Sequence, residues 1–186
     1  MLGPTLETQR LHLRPPCEDD FEAYAAFSAD PLVMEFLGGV QNRSVAWRSL
    51  AMLIGAWALR GFSFFSVIEK ETGRWIGRVG PWEPEGWPGR EVGWSIATDA
   101  QRRGYAREAA NAAIDWAFRE LGWSDVIHCI DPKNTPSIAV AHGLGSQVVR
   151  RNVAAPPPID ATWDLYGQSR EAWLSRHPTP SWTRIA

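Results

Sequence analysis

The stretch TDAQRRGYAREAANAAIDWAF, residues 98–118, sets two arginines and a glycine directly in front of a long alanine-rich run. The run predicts a helix from Tyr105 to Leu121, closed at Leu121-Gly122. The preceding REVGWSIATD has strand character, so the middle of the chain reads strand, turn, helix. A helix start leaves several backbone N–H groups without intrahelical acceptors, and the aligned peptide dipoles add partial positive charge there. Gly104 has no Cβ to keep a ligand off the main chain, and Arg102, Arg103 and Arg107 add charge around it. These are the ingredients of a pyrophosphate cradle. An ordinary helix start with solvated arginines has the same composition, so QRRGYA alone does not decide. Two nucleotide-binding alternatives fail: there is no Gly-x-x-x-x-Gly-Lys-Ser/Thr, and no Gly-x-Gly-x-x-Gly after a first strand. Such a site would hold phosphates with backbone and arginine, without a metal.

The rest of the chain alternates between the two periodicities. TLETQRLHLRPP sets Leu6, Leu11 and Leu13 among polar residues and reads as a first strand. CEDDFEAYAAFSAD predicts a helix ended by Pro31, and DPLVMEFLGGVQNRS is irregular. A second helix follows in SVAWRSLAMLIGAWALRG, with Ser44 as its cap and Gly61 at its end. FSFFSVIEKETGRWIGRVGPW is a hairpin turning at Glu71, Thr72 and Gly73. After the central helix come a strand (SDVIHCID), a short helix (NTPSIAVAHGLG), a strand (SQVVRRNV) and a last strand (ATWDLYGQS). The proline triplet at 156–158 reads as a loop, and residues from about 174 as a loose tail after a short helical turn. The order is β-α-α-β-β-β-α-β-α-β-β, an α/β (α+β) chain with a mixed, mostly antiparallel twisted sheet of about seven strands flanked by helices. Residues 1–186 are expected to form a single domain.

Composition excludes several classes. A formal net charge of −2 leaves no basic stripe for nucleic acid. No apolar run is long enough for a bilayer, and MLGPTLETQRLHLRPP lacks a signal-peptide apolar core, so a cytoplasmic protein is expected. Cys17 and Cys129 lie far apart and read as two reduced thiols. His12, His128, His142 and His177 have no metal-ligand companions at useful spacing and receive no role. Most of the eleven tryptophans should line core or cleft.

REVGWSIATDAQRRGYAREAANAAIDWAF, followed downstream by DPKNTPSIAVAHGLG, resembles the GNAT acetyltransferase superfamily. The likeness is greatest to the branch containing ribosomal-protein alanine N-acetyltransferases, and it covers roughly residues 5–173. In that family a Gln/Arg-x-x-Gly-x-Gly/Ala turn binds the pyrophosphate of acetyl-CoA, matched here by Gln101, Arg102, Arg103, Gly104, Tyr105 and Ala106. The Asn-x-x-Ala/Ser motif is matched by Asn134 and Ser137, and the ending WDLYGQSREAW also looks like this branch. There are departures. A tyrosine often stands seven residues after the asparagine as general acid, and here that position is Ala141; Ser146, not an aromatic, follows Gly145. The tyrosine-acid mechanism therefore does not carry over.

The resemblance implies transfer of an acetyl group from acetyl-CoA to an amine by direct attack in a ternary complex. Glu91, the first acidic residue of EVGWSI, is then the candidate base; a solvent-facing carboxylate paired with Arg90 or Arg78 is the alternative. Ser137 is the candidate proton donor to the departing sulfur, or else a helix serine bonding back to its own chain. Asn134 orients the pantetheine arm or merely caps its helix, and Tyr166 is a reserve acid. Backbone N–H groups of Trp94, Ser95, Ile96 and Ala97 would hold pantetheine and the developing oxyanion if their strand splays from its neighbour, as the family's does. On the acceptor side, Glu35, Glu83 and Glu85 with Trp82 and Trp87 suit a cation. A free α-amino group, pKa about 7.8, is neutral in roughly one copy of seven at pH 7; lysine, pKa about 10.4, in about one of 2,500. A modest base therefore suffices for an N-terminal or aminosugar amine, and the resemblance makes a protein N-terminus the expected acceptor. Aminoglycosides or polyamines, and a non-catalytic acyl-CoA-binding domain, are the alternatives. A monomer and a homodimer are equally compatible with the sequence.

Overall fold

Leu6, Leu11 and Leu13 are all completely buried, but they sit on two strands, β1 (Thr5–Glu7) and β2 (Leu11–Arg14). Thr8 makes the turn: its N–H donates to the Leu11 carbonyl at 2.9 Å, and its Oγ1 accepts from the Leu11 N–H at 3.1 Å. The expected single first strand is therefore a hairpin, in register Leu6 opposite Leu13. A polar side chain closing a turn on its own backbone leaves no trace in strand alternation.

The computed structural model describes residues 2–157 and 159–185. After β2 come α1 (Phe21–Ala29), α2 (Pro31–Met34), α3 (Arg43–Arg60), β3 (Phe65–Glu69), β4 (Trp75–Trp82), β5 (Glu91–Ile96) and α4 (Tyr105–Arg119). Then follow β6 (Asp125–Ile130), α5 (Thr135–Gly143), β7 (Gln147–Ala154), β8 (Thr162–Ser169), α6 (Arg170–Arg176) and β9 (Thr183–Ile185). The strands form one open sheet in the order β7-β8-β6-β5-β4-β3-β2-β1-β9. All neighbours run antiparallel except β5 and β6, which are parallel.

Among the described residues nine strands stand where about seven were expected. One extra comes from the split at Thr8, and the other from the C-terminus. Residues after 174 are no loose tail: α6 runs on to Arg176, and β9 then pairs with β1, Thr5 opposite Ile185. Other expectations shift locally. Pro31 both ends the first helix, with Asp30 extended before it at ψ +115°, and opens α2, because a missing N–H costs nothing in a first turn, and Asp30 caps α2 through the Leu32 N–H. Asn42 rather than Ser44 caps α3, its side chain accepting from the Val45 N–H. Gly61 ends α3 at φ +74°, and the Glu71–Gly73 turn joins β3 to β4. In the 156–158 triplet, Pro158 lies outside the described residues.

The sheet is covered on both faces. α4 lies along β4 and β5, with Ala109, Ala110, Ala112, Ala113 and Ala117 fully buried and packed among Val79, Val92 and Ile96. Methyl-sized side chains let a helix axis approach a sheet closely. On the other face α1 and α3 contribute Tyr24, Ala25, Ala46, Leu50 and Leu53, packed around Phe64. Trp57, near the end of α3, joins the first cluster beside Phe65 and Trp116, at centroid distances of 5.0 and 5.9 Å.

Candidate functional site

The turn before α4 is built to keep its amides exposed. Arg102 has φ +60° and Gly104 φ +82°. Two left-handed residues so close together curl the main chain so that successive N–H groups converge. The arginine pays for this with strain of about 1–2 kcal/mol. Among the described residues, no acceptor reaches the N–H groups of residues 102–107; the first filled helix bond is Glu108 N–H to the Gly104 carbonyl. Gln101 is held from behind, its side-chain amide donating to the Ile96 carbonyl at 3.0 Å. Tyr105 turns its ring inward, buried, with its hydroxyl donating to Glu69. Together with Thr72 and Arg103, that bond holds the Glu69 carboxyl below its ordinary range. Ala106 lies in the first turn of α4 and is half-buried.

Arg10 completes this end of the molecule and carried no local sequence signal. From the β1–β2 turn it donates to the Arg103 carbonyl at 2.9 Å and to Glu108 at 2.7 Å, with its guanidinium 4.5 Å from the Tyr105 ring centre. It is 93 residues from the turn it braces. Arg102, Arg103 and Arg107 stand in or just after this run of unfilled N–H groups, with Arg10 bound to the Arg103 carbonyl and Arg103 itself paired with Glu69 at 3.0 Å, a composition suited to a multiply charged anion.

Beside this turn the sheet opens. Among the described residues β5 and β6 share one paired position, Glu91 with Ile127, where the Ile127 N–H donates to the Arg90 carbonyl at 2.9 Å. Beyond it the strands diverge. The ladder with β4 tells which β5 groups face the opening. Pro81, which has no N–H, lies opposite Val92, and the Ala97 N–H donates to the Ile76 carbonyl at 2.8 Å. By strand alternation Ser95 is turned to β4 as well, whereas the backbone groups of Trp94 and Ile96 point into the fork. Two of the four expected amides are thus directed there, and two serve the sheet.

Glu91 stands at the crotch, only 7% exposed. Its Oε2 accepts from the Trp87 indole N–H at 2.6 Å, and its Oε1 from the Cys129 N–H at 3.1 Å. Burial raises its pKa to about 7, against the opposing pull of those donors and of Arg78. It is neither solvent-facing nor ion-paired: Arg90 reaches Ser124, and Arg78 lies over the Phe64 ring. Gly93 leaves room beside it, since a Cβ there would sit 3.0 Å from the Phe64 ring and 3.4 Å from Glu91 Oε1, and one of them would have to shift by a few tenths of an ångström. Burial, with Glu91 alongside, pushes the Cys129 thiol far up, so it is no nucleophile.

Across the fork, Asn134 caps α5, its side-chain oxygen accepting from the Ser137 N–H at 3.1 Å. Ser137 is half-buried, and its hydroxyl makes no bond to the described residues. Ala141 is completely buried and packs with Ile130 and Tyr166, against which Trp94 also lies. Of the acceptor-side candidates, Trp82, Glu83 and Glu85 line a groove of about 360 Å³ with Met52, Leu59 and Phe62. Trp87 instead bridges Trp82 and Trp163, at centroid distances of 6.5 and 5.2 Å, and Glu35 lies apart, exposed at the end of α2. Among the described residues no group of three or more His, Cys, Asp or Glu side chains could hold a metal ion, and no helix is long and apolar enough to cross a membrane.

Residues 10–147 match the acetyltransferase (GNAT) domain family. An FsC-acetyl coenzyme A-N(2)-transacetylase of Aspergillus fumigatus is 30% identical, over 97% of this chain and 82% of its own. The crystal structure of an acetyltransferase from Agrobacterium tumefaciens superimposes with a TM-score of 0.78 at 33% identity, covering 89% of this chain and 94% of that one. A ribosomal-protein-S5-alanine acetyltransferase from Vibrio fischeri shares the fold, with a TM-score of 0.71 at 18% identity over 91% and 98% of the two chains. With the strand fork and the open helix turn in place, the chain belongs to the GNAT superfamily and is an acetyl-CoA-dependent N-acetyltransferase.

Proposed function

We propose that the protein acetylates an α-amino group, foremost that of a protein N-terminus, by direct attack while both substrates are bound. The observation that carries this reading is Glu91: a buried carboxyl at the strand fork whose pKa, about 7, lies close to that of its intended partner. A base near the operating pH suits an amine of pKa about 7.8, where proton transfer is nearly balanced. Lysine, at about 10.4, would need roughly 3.5 kcal/mol more for deprotonation.

Bound acetyl-CoA supplies the thioester. The turn at Gln101–Ala106 fits its pyrophosphate, through unfilled amides and the neighbouring arginines. The Trp94 and Ile96 groups in the fork fit the amides of the pantetheine arm, with the Trp94 N–H also placed to donate to the acyl oxygen. Asn134 retains a free side-chain N–H₂ for the same arm, since only its oxygen is used in capping. Glu91 accepts the proton that the amine nitrogen loses as it bonds to the acyl carbon. The carbon–sulfur bond breaks, and Ser137 Oγ–H delivers a proton to sulfur, with solvent restoring the hydroxyl. A leaving thiol of pKa about 8.5 asks little of its donor. Tyr166, gathered with Trp94 and Ala141, is the second candidate for that step.

The test is a competition among acceptors. Peptides with free N-termini, the same peptides blocked at the N-terminus but carrying lysine, and small polyamines would each be assayed for amine-dependent thiol release. Free N-termini should give the highest kcat/KM; equal or better turnover of blocked lysine peptides would sink the assignment. The second reading is a small-amine acceptor: the Aspergillus relative is named an FsC-acetyl coenzyme A-N(2)-transacetylase, a name that mentions no protein N-terminus, and faster turnover of small amines would establish that reading.

A further inference from the structure

A parallel ladder continuing past Glu91 and Ile127 would next join the Cys129 N–H to the Val92 carbonyl, and then the Trp94 N–H to the Cys129 carbonyl. The first of these rungs is blocked on both sides by side chains. The Cys129 N–H is taken by Glu91 Oε1 at 3.1 Å, and the Val92 carbonyl by His128 Nδ1 at 2.7 Å.

The imidazole is held firmly in that position. A carbonyl only accepts, so Nδ1 carries the proton, and Nε2 accepts from the Ser146 hydroxyl at 2.9 Å. Ser146 in turn accepts from the Gln168 side-chain amide at 2.8 Å, and Gln168 is bound by Arg176. His128 is 1% exposed and Ser146 is completely buried. Burial lowers the His128 pKa to about 4, so the ring is neutral in this arrangement at neutral pH. The Trp94 indole packs against it, 4.7 Å between ring centres.

We infer that His128 is a positioning residue that stops the β5–β6 ladder one rung short, keeping the Trp94 N–H turned into the fork and free for the pantetheine arm. The inference rests on the reading that the fork receives that arm. Without the imidazole N–H, the buried Val92 carbonyl loses its partner, and its partner in a continued ladder is the Cys129 N–H, which would have to leave Glu91 Oε1. That exchange would zip the strands together and use up the Trp94 N–H. The serine at 146 gains a reason as well, for its hydroxyl orients the ring.

Two variants separate this role from simple packing. His128→Phe keeps a ring against Trp94 but has no N–H; His128→Asn loses the ring but places a side-chain N–H near the Val92 carbonyl. Coenzyme A affinity by calorimetry should fall about tenfold in His128→Phe, the effect of one buried hydrogen bond, and stay within about threefold of wild type in His128→Asn. In ligand-free protein, NMR should show slower hydrogen exchange of the Trp94 amide in His128→Phe and unchanged exchange in His128→Asn. The opposite order, equal loss in both variants, or wild-type affinity and exchange in His128→Phe overturns the inference. Should His128→Phe not fold, His128→Asn decides alone: retained affinity upholds the role, lost affinity ends it. If the wild-type protein itself bound no coenzyme A, the proposed function would fail, while the ligand-free exchange comparison would still judge the fork.

Discussion

Glu91 makes two opposite demands on the protein, and pH separates them. As a base it must be ionised, so log kcat for an N-terminal acceptor should rise with unit slope below pH about 7 and level off above it. Glu91→Gln should flatten that limb and lower kcat by about 10²–10⁴, leaving coenzyme A affinity near wild type. For stability the sign reverses. A carboxyl raised from 4.5 to about 7 binds more protons folded than unfolded, so its contribution is full below pH 4.5 and lost as pH rises towards 7. The loss is on the order of 3 kcal/mol. The melting temperature of Glu91→Gln relative to wild type should therefore climb between pH 5 and 8; a constant difference would show that Glu91 titrates normally. Gly104 offers a second residue-scale test. Gly104→Ala at φ +82° should cost about 1–2 kcal/mol in strain, whereas Gly104→Glu should abolish measurable coenzyme A binding by calorimetry. Unchanged affinity in Gly104→Glu would remove the turn from the site.

Individual elements differ in how plainly the sequence announces them. The hairpin of β3 and β4 and helices α3, α4 and α5 were legible because turn chemistry and apolar spacing agree there. The turn at Gln101 to Ala106 was legible for the same reason: its glycine and arginines lie in consecutive residues, and the proposed anion-binding role rests on them. The fork was not, because strand divergence depends on partners 36 to 38 positions away, His128 with Val92 and Cys129 with Glu91. Arg10 escaped notice likewise, since its contacts lie across the fold. His128 received no role because an isolated histidine in an apolar strand has no local mark of function. The ninth strand is the plainest miss. TRI, the sequence of β9, is too short for any periodicity, and only the unpaired edge of β1 gives it a place. Removing residues 179–186 would take away β9 and Trp182, which packs on the main core and is half-buried. Stability by urea denaturation should fall by about 1–3 kcal/mol, with much of the coenzyme A affinity kept in the folded fraction. No loss would mean that β9 contributes nothing to the sheet.

At the scale of the whole molecule, the parallel junction divides the sheet into two antiparallel parts, β9 to β5 on one side and β6, β8 and β7 on the other. A ligand lying in the fork touches both. Binding should therefore report as a shift of global unfolding: at a coenzyme A concentration of 100 times Kd, stability should rise by about 2.7 kcal/mol in a single cooperative transition. Two separated transitions, with only one moving, would show that the parts unfold independently. α4 gives this arrangement its dimensions. Five of its alanines have no exposed surface, so the helix has no slack to slide inwards and needs only an added methylene to be pushed out. On the proposed reading, the span from phosphate to acyl carbon is set by how deeply that helix is seated. Thioesters on shorter or longer carriers would then be rejected by a mismatch of length, a ruler graduated in methyl groups at the centre of the protein.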